Sequence, residues 1–273
     1  VLEDYQDNAQ MQTNNALSFT YFNPFYNLYS PEGYNEDRMG ASMDAYLNGF
    51  EDPRLPKFFK TTEDGYYRGL RNGLRNGNKF QGDPYLSMPT ITRATPYVWM
   101  TAAEIWLLRA EGALLGWNMG GDAKTLYEKG IRSSFAQYGL SAEADNYLAS
   151  TNTPAAYQGL DGSPSAEAPS DITPAWDDNA TLEKKLERII TQKWIAIYPL
   201  GQEAWSEFRR TGYPKIYPIV NNLSNGKVST TEQVRRVPFP ASEYSGNMSE
   251  VEKAIKLLGG EDTGGTKLWW DKH

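Results

Sequence analysis

Apolar positions recur at helical spacing in several stretches of this chain, most clearly from Thr95 to Trp117. Trp99, Ala103, Trp106, Ala110, Ala113 and Trp117 follow one another at steps of three and four, which places them in one stripe along a helix. Thr95 and Pro96 suit the cap and the first helical position. Leu107, Leu108 and Leu114 widen the apolar surface, so this helix should pack on more than one side. Gly116 loosens its end. A second helix opens at Asp122, with Ala123, Tyr127, Ile131, Ser134 and Tyr138 along one face and Gly139 as its stop. Gly130 and Ser134 are small enough to let a neighbour come close. Ser141 should cap a short third helix through Tyr147 and Leu148.

Two antiparallel helices joined by a short glycine-containing loop form a helical hairpin, compatible with a tetratricopeptide-like pair. Further on, Leu182, Leu186, Ile189, Lys193 and Ile197 share one side of a helix over 181–198 that Pro199 terminates. Glu203 to Arg210 gives another short helix. Ser249 and Glu252 form a capping box for a helix to Leu258, ended by Gly259 and Gly260. Upstream, Asp37 to Phe50 can form a helix with Met39, Met43, Tyr46 and Leu47 on one side, stopped at Asp52-Pro53-Arg54-Leu55-Pro56. Pro24, Pro31 and Gly33 break any long element near the start. Residues 60–95 are glycine-rich loop with short strands. Residues 151–180 hold four prolines and read as a long surface excursion, and 213–240 as irregular chain wrapping the domain. The chain is thus mainly α, one region over 1–273 made of a loop-rich part (1–95), a helical hairpin (96–150), the excursion (151–180) and a C-terminal part (181–273). Alternating sheet patterns are scarce, which disfavours a β-sandwich.

Composition narrows the chemistry. The 273 residues carry a net charge of -7 with acids scattered rather than blocked, so no basic stripe exists to hold nucleic acid. The densest basic cluster is Arg68, Arg71, Arg75 and Lys79, short and broken by glycines. Cysteine is absent and the one histidine is the last residue, His273. Thiolate chemistry, a histidine-based triad and a multi-histidine metal site are excluded, and no cofactor or metal is expected. No stretch has the apolar length of a membrane span. No secretory signal opens the chain, and Val1-Leu2-Glu3-Asp4-Tyr5 reads as chain already inside a fold, which suggests truncation, processing or missing upstream residues.

The helix Thr101-Ala102-Ala103-Glu104-Ile105-Trp106-Leu107-Leu108-Arg109-Ala110-Glu111 resembles the hallmark helix of the SusD/RagB family. The resemblance extends to Asp52-Pro53-Arg54-Leu55, to Tyr127 through Ser134, and to Gln192-Lys193-Trp194. It continues through Trp205-Ser206-Glu207-Phe208-Arg209-Arg210-Thr211-Gly212-Tyr213-Pro214, Arg235-Arg236-Val237-Pro238-Phe239-Pro240 and Trp269-Trp270-Asp271. Each fragment is weak alone; their order and spacing together are specific. The resemblance implies tetratricopeptide-like helix pairs wrapped by long loops, and the C-terminal portion of a longer lipoprotein whose upstream part carries a signal peptide and a lipidated cysteine. It also implies a place at the outer-membrane surface of Bacteroidetes, as a lid on a TonB-dependent, SusC-like transporter. There the family captures nutrients, mostly oligosaccharides and in some members peptides, without catalysis. A structural lid or scaffold with no ligand affinity of its own is the remaining reading.

Glu104 and Glu111 lie seven residues apart on an apolar helix. A glycosidase would need two facing acids; the simpler reading is buried acids paired with arginine, with Arg209 and Arg210 as natural partners. Trp194, Trp205, Trp269 and Trp270 belong to the family-like motifs and are expected to be structural, as are the stripe residues Trp99, Trp106 and Trp117. Sugar binding needs flat apolar faces beside polar groups. The candidates lie away from periodic positions: Tyr21, Phe22, Phe25, Tyr26, Tyr29 and Tyr34, with Asn23 and Asn27 between them. A second set is Tyr66, Tyr67, Arg68, Asn72, Arg75, Asn78 and Tyr85. Tyr157, Asp161 and Trp176 in the excursion form a third.

Overall fold

A computed structural model describes residues 2–15, 21–74, 83–159 and 164–272. The regular elements in chain order are β1 (Ala9–Met11), α1 (Pro24–Tyr29), α2 (Ala41–Gly49), α3 (Leu55–Phe58), β2 (Tyr97–Met100), α4 (Ala102–Leu114) and α5 (Ala123–Gln137). They continue with α6 (Ala144–Leu148), α7 (Leu182–Ala196), α8 (Gly201–Thr211), α9 (Ala241–Gly246) and α10 (Met248–Leu258). The molecule is mainly helical, and β1 and β2 form one small antiparallel ribbon.

The helix expected from Thr95 starts later. Thr101 is its cap, with the side chain accepting from the Glu104 amide at 3.0 Å. The preceding Tyr97-Val98-Trp99-Met100 is strand instead, as its aromatic and β-branched residues favour, and it pairs with β1. Trp99 therefore leaves the core stripe and is 59% exposed, and Trp117, beyond the end of α4, is 63% exposed. Trp106 stays buried and donates its indole N–H to the Glu3 carbonyl at 2.9 Å. Pro24, expected to break structure, opens α1: it is compatible with the first helical turn, and Asn23 caps it by accepting from the Phe25 amide. Asp122 caps α5 as expected, and Thr181 caps α7, whose start falls where the sequence places it. Ser141 does not cap α6; it lies in a 3-10 turn just before it. Leu182, in the first turn of α7, is exposed. The Ser249–Glu252 capping box does not form, because α10 already begins at Met248 and places Ser249 inside it.

α4 packs against both α5 and α7, as the breadth of its apolar surface predicts, although Leu108, one of the residues that widens it, is exposed. Leu107, Leu126, Tyr127, Ile131, Phe135 and Ile189 meet in one core with Tyr46 and Leu47 of α2. Gly130 makes the α4–α5 crossing close: a Cβ there would lie 2.5 Å from Leu107 Cγ. Gly130→Ala is expected to cost about 1–3 kcal/mol by overpacking, read as a lowered urea midpoint with an unchanged slope. An unaltered midpoint would show that Leu107 moves aside freely.

The loop before α3 is pinned from inside. Arg54 is fully buried and meets Asp52 at 2.6 Å. It also donates to Ser134 on α5, Tyr147 on α6 and Gln192 on α7, and its guanidinium lies over the Phe135 and Tyr147 rings. One side chain therefore holds three helices to a loop. No helix among the described residues is long and apolar enough to cross a membrane.

Candidate functional site

The motif residues around α8 form an ionic network. Arg210 grips Glu111 with two bonds of 2.6 and 2.7 Å and Glu207 with two of 3.0 and 2.8 Å. Glu104 is paired with a lysine rather than an arginine: Lys193, 1% exposed, lies 3.5 Å from it, 3.0 Å from Glu203 and 3.4 Å from Glu207. Burial raises the Glu104 pKa, with Lys193 opposing that shift. Burial pushes Glu207 the same way, but Arg210 and Lys193 outweigh it and hold its pKa down. Arg209 meets no acid among the described residues. Its guanidinium packs over the rings of Trp205 at 3.6 Å and Trp270 at 4.9 Å and donates to the Arg235 carbonyl. Arg235 in turn holds Asp271 at 2.7 and 2.5 Å. The C-terminal motif thus closes onto α8 through Trp270 and Asp271, while Trp269 is 84% exposed. Glu104 and Glu111 each sit on a cation, and neither lines the cleft described next.

That cleft has a volume of ≈ 570 Å³ and mostly apolar walls. Phe25 and Tyr29 come from α1, Trp194 from the last turn of α7, Tyr198 from just beyond that helix, and Trp205 and Phe208 from α8. Its polar groups are Asp37, Arg38, Ser42, Arg71, Asn72 and Gln233. A parallel bridge between Gly40 and Leu70 sets one wall. It needs Gly69, whose Cβ would lie 2.5 Å from the Gly40 carbonyl oxygen. The bridge brings the chain at Arg38 beside the chain at Arg71 and Asn72. Flat rings beside a few polar groups are the ingredients of a site for an amphipathic ligand.

Of the sequence candidates, Phe25, Tyr29 and Asn72 meet at this cleft. Tyr26 packs edge-on between Phe22 and Tyr29, with Arg93 over its ring and its hydroxyl donating to Glu32. Tyr66 is exposed under the guanidinium of Arg68, which Asp64 holds. Tyr21, Tyr34 and Tyr85 are exposed elsewhere. Tyr67 packs against the main core. Tyr157 is buried beside Tyr217, and Trp176 leans on Tyr127 and donates to Asp178. Arg75, Asn78 and Asp161 lie outside the described residues. The sequence does not mark Arg38, Tyr198, Phe208 or Gln233 as ligand-binding, and its motifs make Trp194 and Trp205 mainly structural. No spacing signal marks them, because the cleft joins segments from Phe25 to Val234.

Residues 1–271 match the family described as SusD-like, Susd and RagB outer membrane lipoprotein. Among solved structures, a chitin-binding SusD homologue from Flavobacterium johnsoniae is 42% identical with a TM-score of 0.89, over 99% of this chain and 55% of that one. A SusD homologue from Bacteroides thetaiotaomicron VPI-5482 is 41% identical with a TM-score of 0.91, over 100% of this chain and 58% of its own length. One from Bacteroides uniformis ATCC 8492 is 38% identical with a TM-score of 0.92, over 100% and 57%. This chain therefore spans little more than half the length of these relatives. No protein with curated annotation matches the sequence. With the helical fold, the motif network and these matches agreeing over its whole length, the chain belongs to the SusD/RagB family.

Proposed function

We propose that this chain is part of a non-catalytic protein that captures oligosaccharide at the outer-membrane surface and passes it to a TonB-dependent, SusC-like transporter. The observation that carries the reading is the cleft, where Phe25, Tyr29 and Trp205 come together with Asn72, Arg71 and Gln233. The apolar face of a pyranose ring packs on such aromatic rings, and its hydroxyls bond to such polar groups. The chitin-binding relative supports a glycan over other nutrients. The acids of the hallmark helix are occupied by Lys193 and Arg210, which fits a binding role rather than acid–base catalysis.

The test is calorimetry of the full-length, signal-free protein against a glycan panel that includes chitin oligosaccharides, with soluble peptides as controls. Saturable binding of one glycan class is expected, weakened roughly 2- to 10-fold by Phe25→Ala, the effect of losing one aromatic contact. Binding of peptides alone, or of nothing by the folded protein, would overturn the glycan reading.

A further inference from the structure

Six arginines are buried among the described residues: Arg54, Arg71, Arg188, Arg209, Arg235 and Arg236. Arg54, Arg235 and Arg236 each meet a carboxylate. Arg71, Arg188 and Arg209 meet none among the described residues, and of these three only Arg71 lines the cleft. A guanidinium stays charged at any ordinary pH, and burying a charge without a counter-ion is costly. Arg71 is 7% exposed.

Its terminal nitrogens donate to two backbone carbonyls, Pro164 at 3.3 Å and Pro218 at 2.8 Å. The guanidinium carbon lies 5.1 Å from the Tyr217 ring centre and 5.9 Å from that of Tyr157. These contacts orient the fork but supply no negative charge. Its Nε is buried with no hydrogen-bond partner. The other cleft arginine, Arg38, repeats the pattern: Nη1 donates to the Asp37 carbonyl, Nη2 to Asn35, and Nε has no partner. Asp37 shares the wall with Arg38 and offsets its charge locally, so the stronger anion site is at Arg71. The Gly40–Leu70 bridge holds the two arginine-bearing segments side by side.

We propose that the cleft takes an acidic glycan, with the carboxylate of a uronate-type sugar seated on Arg71 and the sugar ring against the aromatic wall. This rests on the glycan reading above and names the ligand class. A carboxylate in the cleft beside Arg71 supplies the counter-charge it lacks, and arginine's planar fork matches carboxylate geometry.

The experiment compares two probes with the same sugar backbone, charged oligogalacturonate and its neutral methyl ester, by calorimetry on the full-length, signal-free protein. Alginate oligomers serve as a second uronate and chitin oligosaccharides as a neutral glycan. The acid form is expected to bind about tenfold tighter than the ester or better, the range of a hydrogen bond to a charged group. That advantage should shrink at high salt. Arg71→Gln should abolish the difference between acid and ester and leave binding of the ester in place, and Arg71→Lys should restore only part of it. Equal binding of acid and ester by the unaltered protein overturns the proposal whether or not the variants fold. An equal loss for both probes in Arg71→Gln also overturns it, since that would mark a packing role. Binding of chitin oligosaccharides without uronate preference would sink the acidic class and leave glycan capture standing, whereas binding of no glycan would remove both.

Discussion

Asp52→Ala is expected to destabilise the protein by about 3–5 kcal/mol, because it strands Arg54 in the core without its counter-ion. Asp52 contributes more than one bond: its carboxylate accepts from the Arg54 backbone amide and from Nε and Nη2, at 2.6 to 2.9 Å. The neutral partners Ser134, Tyr147 and Gln192 orient the guanidinium without balancing it. The double variant Asp52→Ala, Arg54→Met should recover part of the loss, since an absent ion pair costs less than half of one. Equilibrium denaturation of the four proteins of this cycle gives the numbers. A single-variant loss below about 1 kcal/mol, the scale of an exposed pair, would mean that water reaches Arg54.

Lys193→Met is expected to cost a similar amount at neutral pH, about 3–5 kcal/mol. It removes the charge at near-constant volume and leaves Glu104 buried without a cation, while Glu207 keeps Arg210. This loss should depend on pH with a definite sign. The folded-state pKa of Glu104 is raised by burial above its ordinary 4.5. Its contribution to stability is therefore full below the unfolded value and falls as pH rises through the folded one. Without Lys193, which now opposes the shift, the pKa rises further and the penalty at neutral pH grows. The gap between variant and parent should narrow as pH is lowered from 7 toward 5. Glu207 works in the opposite direction: its lowered pKa gives stability that is lost only as pH falls through its folded value. Thermal midpoints compared between pH 5 and 7 stay clear of that loss. A gap that is flat or widens over this window would contradict the assignment of Glu104 as the stranded acid.

Much of the scaffold was legible because local rules decide it. Asp122, Thr181 and Gly139 mark helix ends by their own chemistry, and the stripe through Ala103, Trp106 and Ala110 is a property of one helix. The start of α4 was misread because Thr95-Pro96 and Thr101 both satisfy the rule for a helix beginning. The choice between them was made by β1, a segment far upstream that pairs with Tyr97–Met100. The same limit explains the partners of the hallmark acids. Arg210 was named, but Lys193 read as one apolar-side position of α7, and nothing in its spacing shows that three glutamates surround it. The cleft was legible only in pieces. Phe25, Tyr29 and Asn72 stood out as aromatic or polar residues in loops, while Trp194 and Trp205 looked purely structural because they sit in motifs. They have both roles: Trp205 donates to the Val234 carbonyl and carries Arg209, and it also lines the cleft.

The network around α8 also sets an order of events in folding. The α4–α5 hairpin is local and can form early, but Arg210 lies 99 residues after Glu111, and Lys193 also follows the excursion. Until α7 and α8 dock, the hairpin lacks the cations that neutralise its two acids. Through that interval Glu104 and Glu111 are better left in water, and the apolar stripe between them cannot be fully covered. The hairpin is therefore a unit in sequence but not in energy, and its burial is completed by helices made after it.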